Sequence, residues 1–359
     1  MKCDTFPIRS GYDGKKCLVH ARCCYVKDDF MIATAQYLDV TGCDLFDGIK
    51  MSQSFDGGKT WSEFVDQKGL EPIIEDDIIT VGCDGTPMLH KKTQKVIILG
   101  HTAQYSKDGK LAENRVRSTF YSVFDGEKNE FSKIKFIKMP QSVTNSGNGC
   151  GQSVELENGD LLIPFYYKKE NCSKTSVAVM RCSFDGETVT FKEMGNTLEL
   201  DIARGIGEPS VVFHKGRYYL TIRNDECGLV AKSEDGLTFT DMQLWKWEDG
   251  SILQNYNTQQ HWMVLQDELY LVYTRRGADN DRVFRHRAPL FAAKVSDEMR
   301  LIKETEIALT PERGARLGNF GVTEYKDGKA LVMAAEWMQP IGCEKYGSDN
   351  TIWVSIVEK

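Results

Sequence analysis

Two kinds of long run are missing from this sequence of 359 residues. There is no succession of about 18 apolar residues, which a membrane-spanning helix needs, and no long run of lysine and arginine. The formal net charge of −7 also argues against a protein that binds a phosphate backbone. Residues 1–7 lack the basic-then-apolar pattern of a signal peptide. We therefore predict a cytoplasmic protein whose partners include neither nucleic acid nor a membrane.

A disulfide framework and a zinc site are also missing. The eleven cysteines are odd in number and are spread along the chain, many of them in apolar runs. Cys23 and Cys24 form a vicinal pair rather than a C-x-x-C motif, and no group of cysteines and histidines has the spacing of a zinc site. The sequence thus predicts reduced, buried thiols, no metal and no other cofactor.

Long helices are not expected, because no segment carries a sustained apolar stripe at helical spacing with caps. Short runs rich in β-branched and aromatic residues recur instead, separated by turn pairs such as Asn158-Gly159 and Asp327-Gly328. These runs lie at residues 30–34, 96–99, 161–165, 177–180, 269–273, 331–334 and 352–356. The pattern predicts an all-β protein.

The stretch at residues 207–239 is the most informative part of the chain. Glu208 stands before an apolar run, a second run ends in Arg223, and a third run leads into the turn sequence SEDGLTF at residues 233–239. Turn residues separate the three runs, so the stretch predicts an antiparallel meander. A charged residue therefore stands at the start of its first strand and another at the end of its second.

The same turn occurs in fuller form at residues 54–61 as SFDGGKTW, the Asp-box S-x-D-x-G-x-T-W. With the Glu-Pro-Ser…Arg…Asp-box order, this motif makes the chain resemble the sialidase superfamily of β-propellers. Degenerate turns at residues 124–131 and 183–191 repeat at about 50 to 70 residues, which is the spacing of a four-stranded blade with its loops. We expect one six-bladed β-propeller domain of four-stranded antiparallel blades over residues 1–359, closed by pairing of its two terminal strands.

The resemblance also implies a site at one end of the central channel. A sialidase holds the carboxylate of a sialic acid with three arginines, a task that suits the planar, always charged guanidinium group. Arg22, Arg223 and Arg287 stand at the matching places, and Glu208 matches the family's Glu. From the residues alone, a structural ion pair between Glu208 and Arg223 remains open.

The family's acid/base is an aspartate in the loop before the first Asp-box. Asp44 is our preferred candidate for this residue because of its distance from the box, and Asp47 is the second choice. A loop aspartate that only caps a turn is the alternative interpretation.

One position departs from the family. The Tyr nucleophile belongs to a segment that corresponds here to residues 318–322, where Asn319 replaces it, and an amide cannot be such a nucleophile. Glu336 is retained further on, which argues for a correct alignment. Other tyrosines could reach the channel from other loops, namely Tyr37, Tyr256 and Tyr346. Further polar residues that could fill a sugar site are Asp84, Gln152, Asn257 and Gln259, with His20 and His261 as alternative bases.

These residues predict an exo-glycoside hydrolase that acts on a small-molecule carbohydrate with a terminal carboxylate-bearing sugar. Arg22, Arg223 and Arg287 would hold the carboxylate, Asp44 would be the acid/base, and Glu208 would activate a tyrosine or a water molecule. Two alternatives stay open. One is a lyase or hydrolase of uronic acid glycosides, with a His or Tyr as the base of the lyase, and the other is a carbohydrate-binding propeller without catalysis.

Overall fold

The fold is a six-bladed β-propeller, formed by six antiparallel sheets. The computed structural model describes residues 1–42, 44–113 and 115–359. The N-terminal strand is β1 (Lys2–Arg9). The first blade contains β2 (Lys16–Lys27), β3 (Phe30–Asp39), β4 (Phe46–Ser54) and β5 (Val65–Asp66). The second contains β6 (Ile73–Glu75), β7 (Ile78–His90), β8 (Lys95–Ser106), β9 (Thr119–Asp125), β10 (Glu130–Phe131) and β11 (Lys135–Phe136).

The remaining blades follow in chain order. The third contains β12 (Val143–Gly147), β13 (Val154–Glu155), β14 (Leu161–Lys169), β15 (Thr175–Phe184) and β16 (Val189–Met194). The fourth contains β17 (Gly207–His214), β18 (Arg217–Arg223), β19 (Leu229–Ser233) and β20 (Thr240–Leu244). The fifth contains β21 (His261–Leu265), β22 (Glu268–Tyr273), β23 (Phe291–Lys294) and β24 (Ile307–Ala308). The sixth contains β25 (Arg316–Leu317), β26 (Gly321–Tyr325), β27 (Lys329–Trp337) and β28 (Ile352–Glu358).

The predicted strand runs all lie within strands, and short 3-10 helices occupy some of the connections. These helices are Lys68–Leu70, Phe284–His286, Lys303–Thr305, Lys326–Gly328 and Cys343–Tyr346. No helix in the described part of the chain is long and apolar enough to cross a membrane. The ten described cysteines are free thiols, and seven of them are buried.

The ring closes through its terminal strands, as predicted. Strand β1 pairs antiparallel with β28, with Lys2 opposite Glu358 and Phe6 opposite Val354. The N-terminus thus supplies the outer strand of the last blade, and the pairing leaves no open edge between the two ends of the chain.

Apolar side chains fill the space between neighbouring blades. Leu99 of β8 and Ile163 of β14 belong to one buried cluster, and Val272 of β22 and Val332 of β27 belong to another. Because each blade buries a face against the next, the ring holds the loops at its ends in fixed relative positions. Side chains from distant parts of the sequence can therefore form one rigid site.

The Ser-x-Asp turns lie at the end of the blades that is opposite to the predicted site. In the fourth blade Arg223 lies opposite Gly207, whereas Ser233 lies opposite Tyr218 at the other end of the same strand. The Ser233 hydroxyl donates to Asp235 Oδ1 (2.8 Å) and accepts the Gly236 N–H (2.9 Å). These hydrogen bonds fix the turn, so the Ser and Asp of the motif have a structural role.

Candidate active site

A pocket of about 570 Å³ lies at one end of the ring axis. Every blade contributes to its wall, and seven of the residues predicted from the sequence line it: Asp44, Asp84, Glu208, Arg223, Asn257, Arg287 and Asn319. A pocket of this volume falls in the range of about 300–1,000 Å³ that is usual for small-molecule sites.

Three guanidinium groups lie close together on one side of the pocket, those of Arg223, Arg287 and Arg316. Arg287 is 3% exposed, and its Nε donates to the Asn257 backbone oxygen at 2.9 Å. Burial, followed by the charges of Arg316 and Arg223, lowers the pKa of Arg287 well below its usual value. Within the described chain no acidic side chain forms an ion pair with it. Such a concentration of positive charge suits an anionic ligand.

Glu208 pairs with Arg223, as the sequence suggested. Arg223 Nη1 donates to Glu208 Oε1, and its Nη2 lies 3.3 Å from Asp225 Oδ1. Burial acts to lower the pKa of Arg223, but Glu208 and Asp225 raise it above the usual value. The other oxygen, Glu208 Oε2, is buried and has no hydrogen-bond partner among residues 1–42, 44–113 and 115–359. A buried acceptor of this kind is costly unless a ligand or water hydroxyl donates to it.

Arg22 does not line the pocket, although the sequence grouped it with the other two arginines. It is 1% exposed, and its Nη2 donates to Asp84 Oδ1 at 2.8 Å while its Nε donates to the Phe320 backbone oxygen at 3.2 Å. Burial acts to raise the pKa of Asp84, but the charges of His20 and Arg22 lower it well below its usual value. Asp84 thus already forms an ion pair with the guanidinium group that was expected to bind the ligand carboxylate.

Asn319 belongs to the same buried network. Its Nδ2 donates to Asp84 Oδ1 at 2.8 Å and lies 3.1 Å from His20 Nε2. His20 in turn bonds Gln36 Oε1 through Nδ1 at 3.0 Å. Position 319 therefore presents an amide whose Nδ2 is bound to the Asp84 carboxylate.

Gln152 also lies outside the pocket wall. Its Nε2 donates to the Trp262 backbone oxygen at 2.9 Å, and its Oε1 accepts the Trp262 N–H at 2.7 Å. Nε2 also reaches the Val322 backbone oxygen at 3.3 Å. Because Trp262 and Val322 belong to the fifth and sixth blades, Gln152 joins three blades near the axis rather than facing a ligand.

The two aspartates of the first-blade loop have different surroundings. Asp44 is exposed and lines the pocket, and its backbone oxygen accepts the Tyr105 hydroxyl at 2.6 Å. Asp47 is not among the pocket residues and forms an ion pair with Lys16 at 2.7 Å. The placement therefore favours Asp44 as the residue that can meet a ligand.

The alternative tyrosines and histidines suggested by the sequence do not line the pocket; these are Tyr37, Tyr256, Tyr346, His20 and His261. Several residues that the sequence did not indicate do line it, among them His101, Arg117 and Tyr166. The centre of the Tyr166 ring is 4.9 Å from Arg117 Cζ, and the His101 and Tyr166 ring centres are 6.1 Å apart. His101 and Tyr166 stand in apolar strand runs, which carry no signal for a site.

Two buried histidines make the stability of the fold dependent on pH. Burial, with the nearby charges of Arg117 and Arg22 respectively, lowers the pKa of His101 and of His261 to about 3. An unfolded histidine takes up its proton at about pH 6.5, so the unfolded state binds more protons between these values. Acidification through this window therefore favours unfolding.

We expect the free energy of unfolding to fall below about pH 6.5 by up to about 1.4 kcal/mol per pH unit for each histidine. Urea unfolding at pH 7 and pH 5 measures this slope. The His101→Gln variant should lose its share of the slope, whereas an unchanged slope in that variant would contradict the assignment. The half-buried His214 provides the control, since His214→Gln keeps both His101 and His261 and should leave most of the slope intact.

No protein-family model matches the sequence, and no curated protein sequence matches it either. Solved structures do resemble the fold. A protein from Dyadobacter fermentans, described as one of unknown function, has a TM-score of 0.70 at 17% identity, with 99% of both chains covered. Trypanosoma rangeli sialidase has a TM-score of 0.65 at 16% identity, and another structure of that enzyme contains sialic acid. The intramolecular trans-sialidase of Ruminococcus gnavus has a TM-score of 0.60 at 13% identity.

The coverage of these structures differs. The match to the Ruminococcus gnavus enzyme covers 98% of this chain and 95% of that one, whereas the match to the Trypanosoma rangeli sialidase covers 95% of this chain and 55% of the other. This chain thus spans about half the length of the trypanosomal protein. At such identities the likeness shows the fold alone: this is a sialidase-like six-bladed propeller.

Proposed function

We propose that the protein binds a carboxylate-bearing sugar in the axial pocket and hydrolyses its glycosidic bond. The guanidinium groups of Arg223, Arg287 and Arg316 carry this proposal, because the three positive charges lie close enough together for Arg223 and Arg316 to lower the pKa of the buried Arg287. Guanidinium groups bind carboxylates with paired, charge-assisted hydrogen bonds. Arg316 takes the third place of the clamp, since Arg22 lies outside the pocket wall and is held by Asp84. The sialic acid bound by a fold neighbour makes a sialic acid or a related acidic sugar the first ligand to test.

The remaining residues suggest a direct attack by water. Asp44, exposed at the wall, donates a proton to the glycosidic oxygen as the bond to the anomeric carbon breaks. A water molecule attacks that carbon and gives its proton to Glu208, whose Oε2 is buried without a hydrogen-bond partner in the described chain. Asn319 cannot form a covalent intermediate, so the reaction inverts the anomeric configuration in one displacement.

Ligand-induced stabilisation tests the clamp. N-acetylneuraminic acid, its dehydrated analogue and glucuronic acid are each added at saturating concentration, and the thermal midpoint is followed. A ligand at about 100 times its Kd stabilises the folded state by about 2.7 kcal/mol, so at least one acid should raise the midpoint. Arg287→Ala should abolish the shift, and the variant itself should fold, because the change relieves repulsion from Arg223 and Arg316.

Arg217→Ala is the control for that experiment, since Arg217 pairs with Glu234 and is not part of the pocket wall. It should retain the full ligand-induced shift. The proposed function would be contradicted if none of the three acids raised the thermal midpoint, or if the increase persisted in Arg287→Ala.

A second candidate function is β-elimination of a uronic acid glycoside. His101 and Tyr166 line the pocket beside Arg117, and His101 Nδ1 is buried without a hydrogen-bond partner in the part of the chain that the structure describes. Arg117 would neutralise the sugar carboxylate while one ring group removes the proton from the adjacent carbon. The electron pair left behind forms a carbon–carbon double bond as the leaving oxygen departs with a proton. Ultraviolet absorbance of an unsaturated product distinguishes this reaction from hydrolysis.

A further inference from the structure

Arg117 has surroundings unlike those of the other pocket arginines. Its guanidinium lies 4.9 Å from the centre of the Tyr166 ring, and its backbone N–H donates to Asn145 Oδ1 at 3.0 Å. Its Nε is buried, and no residue of the described chain accepts a hydrogen bond from it. No acidic side chain forms an ion pair with it within the same residues. A partly buried cation without an anionic partner is costly, so an anion is the group missing from this position.

The surrounding charge keeps Arg117 protonated. Burial acts to lower its pKa, but Tyr166, Cys83, Glu208 and Asp44 raise it above the usual value. The group therefore stays a full cation at neutral pH and can bind a carboxylate or sulfate through its fork of donors.

Two more cations line the pocket from the same two blades. Arg115 precedes β9 together with Arg117, and Lys168 stands in β14, as does Tyr166. We call Arg115, Arg117 and Lys168 the basic wall. The second and third blades contribute one acid to the pocket, Asp84, and Arg22 already holds it. Among the described residues no acidic side chain forms an ion pair with the basic wall.

The basic wall is separate from the clamp of the proposed function. Arg223, Arg287 and Arg316 come from the fourth, fifth and sixth blades, whereas the basic wall comes from the second and third. The pocket therefore has two centres of positive charge on different parts of the ring. Its volume of about 570 Å³ fits a ligand of drug size, such as a disaccharide.

We propose that the basic wall binds a second anionic group, so that the substrate is an acidic oligosaccharide with one anion at the clamp and another at Arg117. This inference rests on the proposed function, because it assumes that the clamp holds the first carboxylate. The second anion is a carboxylate or a sulfate on the sugar next to the one that the clamp holds.

Calorimetric titration at fixed salt concentration tests this inference with four probes. Glucuronic acid carries one anion, and galactobiose carries no charge. The other two probes are dianionic disaccharides. Digalacturonic acid carries two carboxylates on adjacent sugars, and a disaccharide that joins glucuronic acid to a sulfated sugar carries one carboxylate and one sulfate. We expect at least one dianionic probe to bind about tenfold more tightly than glucuronic acid, which is the effect of one added charge-assisted hydrogen bond. Galactobiose should bind most weakly.

The Arg117→Gln variant should lose the tenfold advantage of the dianionic probe and keep its affinity for glucuronic acid. Arg181→Gln is the matched control, because Arg181 lies on the outer part of the third blade and pairs with Asp160. It should bind all probes as the unchanged protein does. Circular dichroism and the thermal midpoint establish that both variants are folded.

Two results would overturn the inference and leave the proposed function intact. Either glucuronic acid and both dianionic probes bind equally well, or Arg117→Gln weakens the one-anion and two-anion probes by the same factor, which would place Arg117 at the first carboxylate. If no sugar acid binds the unchanged protein at all, the proposed function fails together with this inference. If only the sulfate-bearing probe binds more tightly than glucuronic acid, the second anion is a sulfate ester.

Discussion

Replacement of Glu208 by glutamine is expected to reduce turnover of an acidic glycoside by a factor of about 100 to 10,000, the usual contribution of a positioned proton acceptor. Glutamine keeps the length of the side chain and can still accept the hydrogen bond from Arg223. It cannot take the proton of an attacking water. The effect should therefore fall on kcat, while the affinity for the free sugar acid changes little. Steady-state kinetics with an acidic glycoside that the unchanged protein cleaves measure both.

The chain offers a matched control for this variant. Glu306 pairs with Arg275, and the exposure of the two side chains, 14% and 17%, is close to the 15% and 12% of Glu208 and Arg223. Glu306 is not part of the pocket wall. Glu306→Gln should thus have a similar effect on stability and none on turnover. Equal activity of Glu208→Gln and the unchanged protein would remove Glu208 from the mechanism.

The arrangement of the blades could be predicted because its signals are local. Turn pairs such as Asn158-Gly159 fix where strands end, and the Ser-x-Asp turns hold themselves together with bonds between residues two to four apart. The pairing of Glu208 with Arg223 was also accessible, since both flank one hairpin whose register places Gly207 opposite Arg223. In each case the partners are close in sequence.

The cavity could not be predicted in the same way. Arg22 and Arg287 look alike in the sequence, but Arg22 meets Asp84, which is 62 positions away on another blade. Which arginine is neutralised depends on how neighbouring blades pack, and no local pattern encodes that. Tyr166 shows the same limit, because alternation along a strand indicates a face of the sheet but does not indicate whether that face ends at the axis.

The ion pair between Arg22 and Asp84 should matter more for stability than for binding. Asp84→Asn is expected to lower the free energy of unfolding by about 3–5 kcal/mol, because it leaves the guanidinium of Arg22 buried without a counter-charge. The asparagine can still accept one of the present hydrogen bonds, so the cost comes mainly from the lost charge. Urea unfolding monitored by tryptophan fluorescence measures the change.

Asp160 provides the comparison for Asp84. The Asp160 side chain is 7% exposed, against 8% for Asp84, but its partners Arg181 and Lys192 are 32% and 44% exposed, whereas Arg22 is 1% exposed. After Asp160→Asn, water can solvate both cations, so we expect a loss of only about 1 kcal/mol. Equal losses in the two variants would show that burial of the partner does not set the cost.

The same variant decides between the two roles of Arg22. If Asp84 only neutralises Arg22, Asp84→Asn should leave the affinity for sugar acids unchanged. Adding Arg22→Met should then recover part of the lost stability, because the uncompensated charge is gone. If Arg22 instead belongs to the ligand clamp, freeing it from Asp84 should strengthen the binding of sugar acids. Tighter binding by Asp84→Asn would therefore restore the three-arginine clamp predicted from the sequence and make Asp84 an internal competitor of the substrate carboxylate.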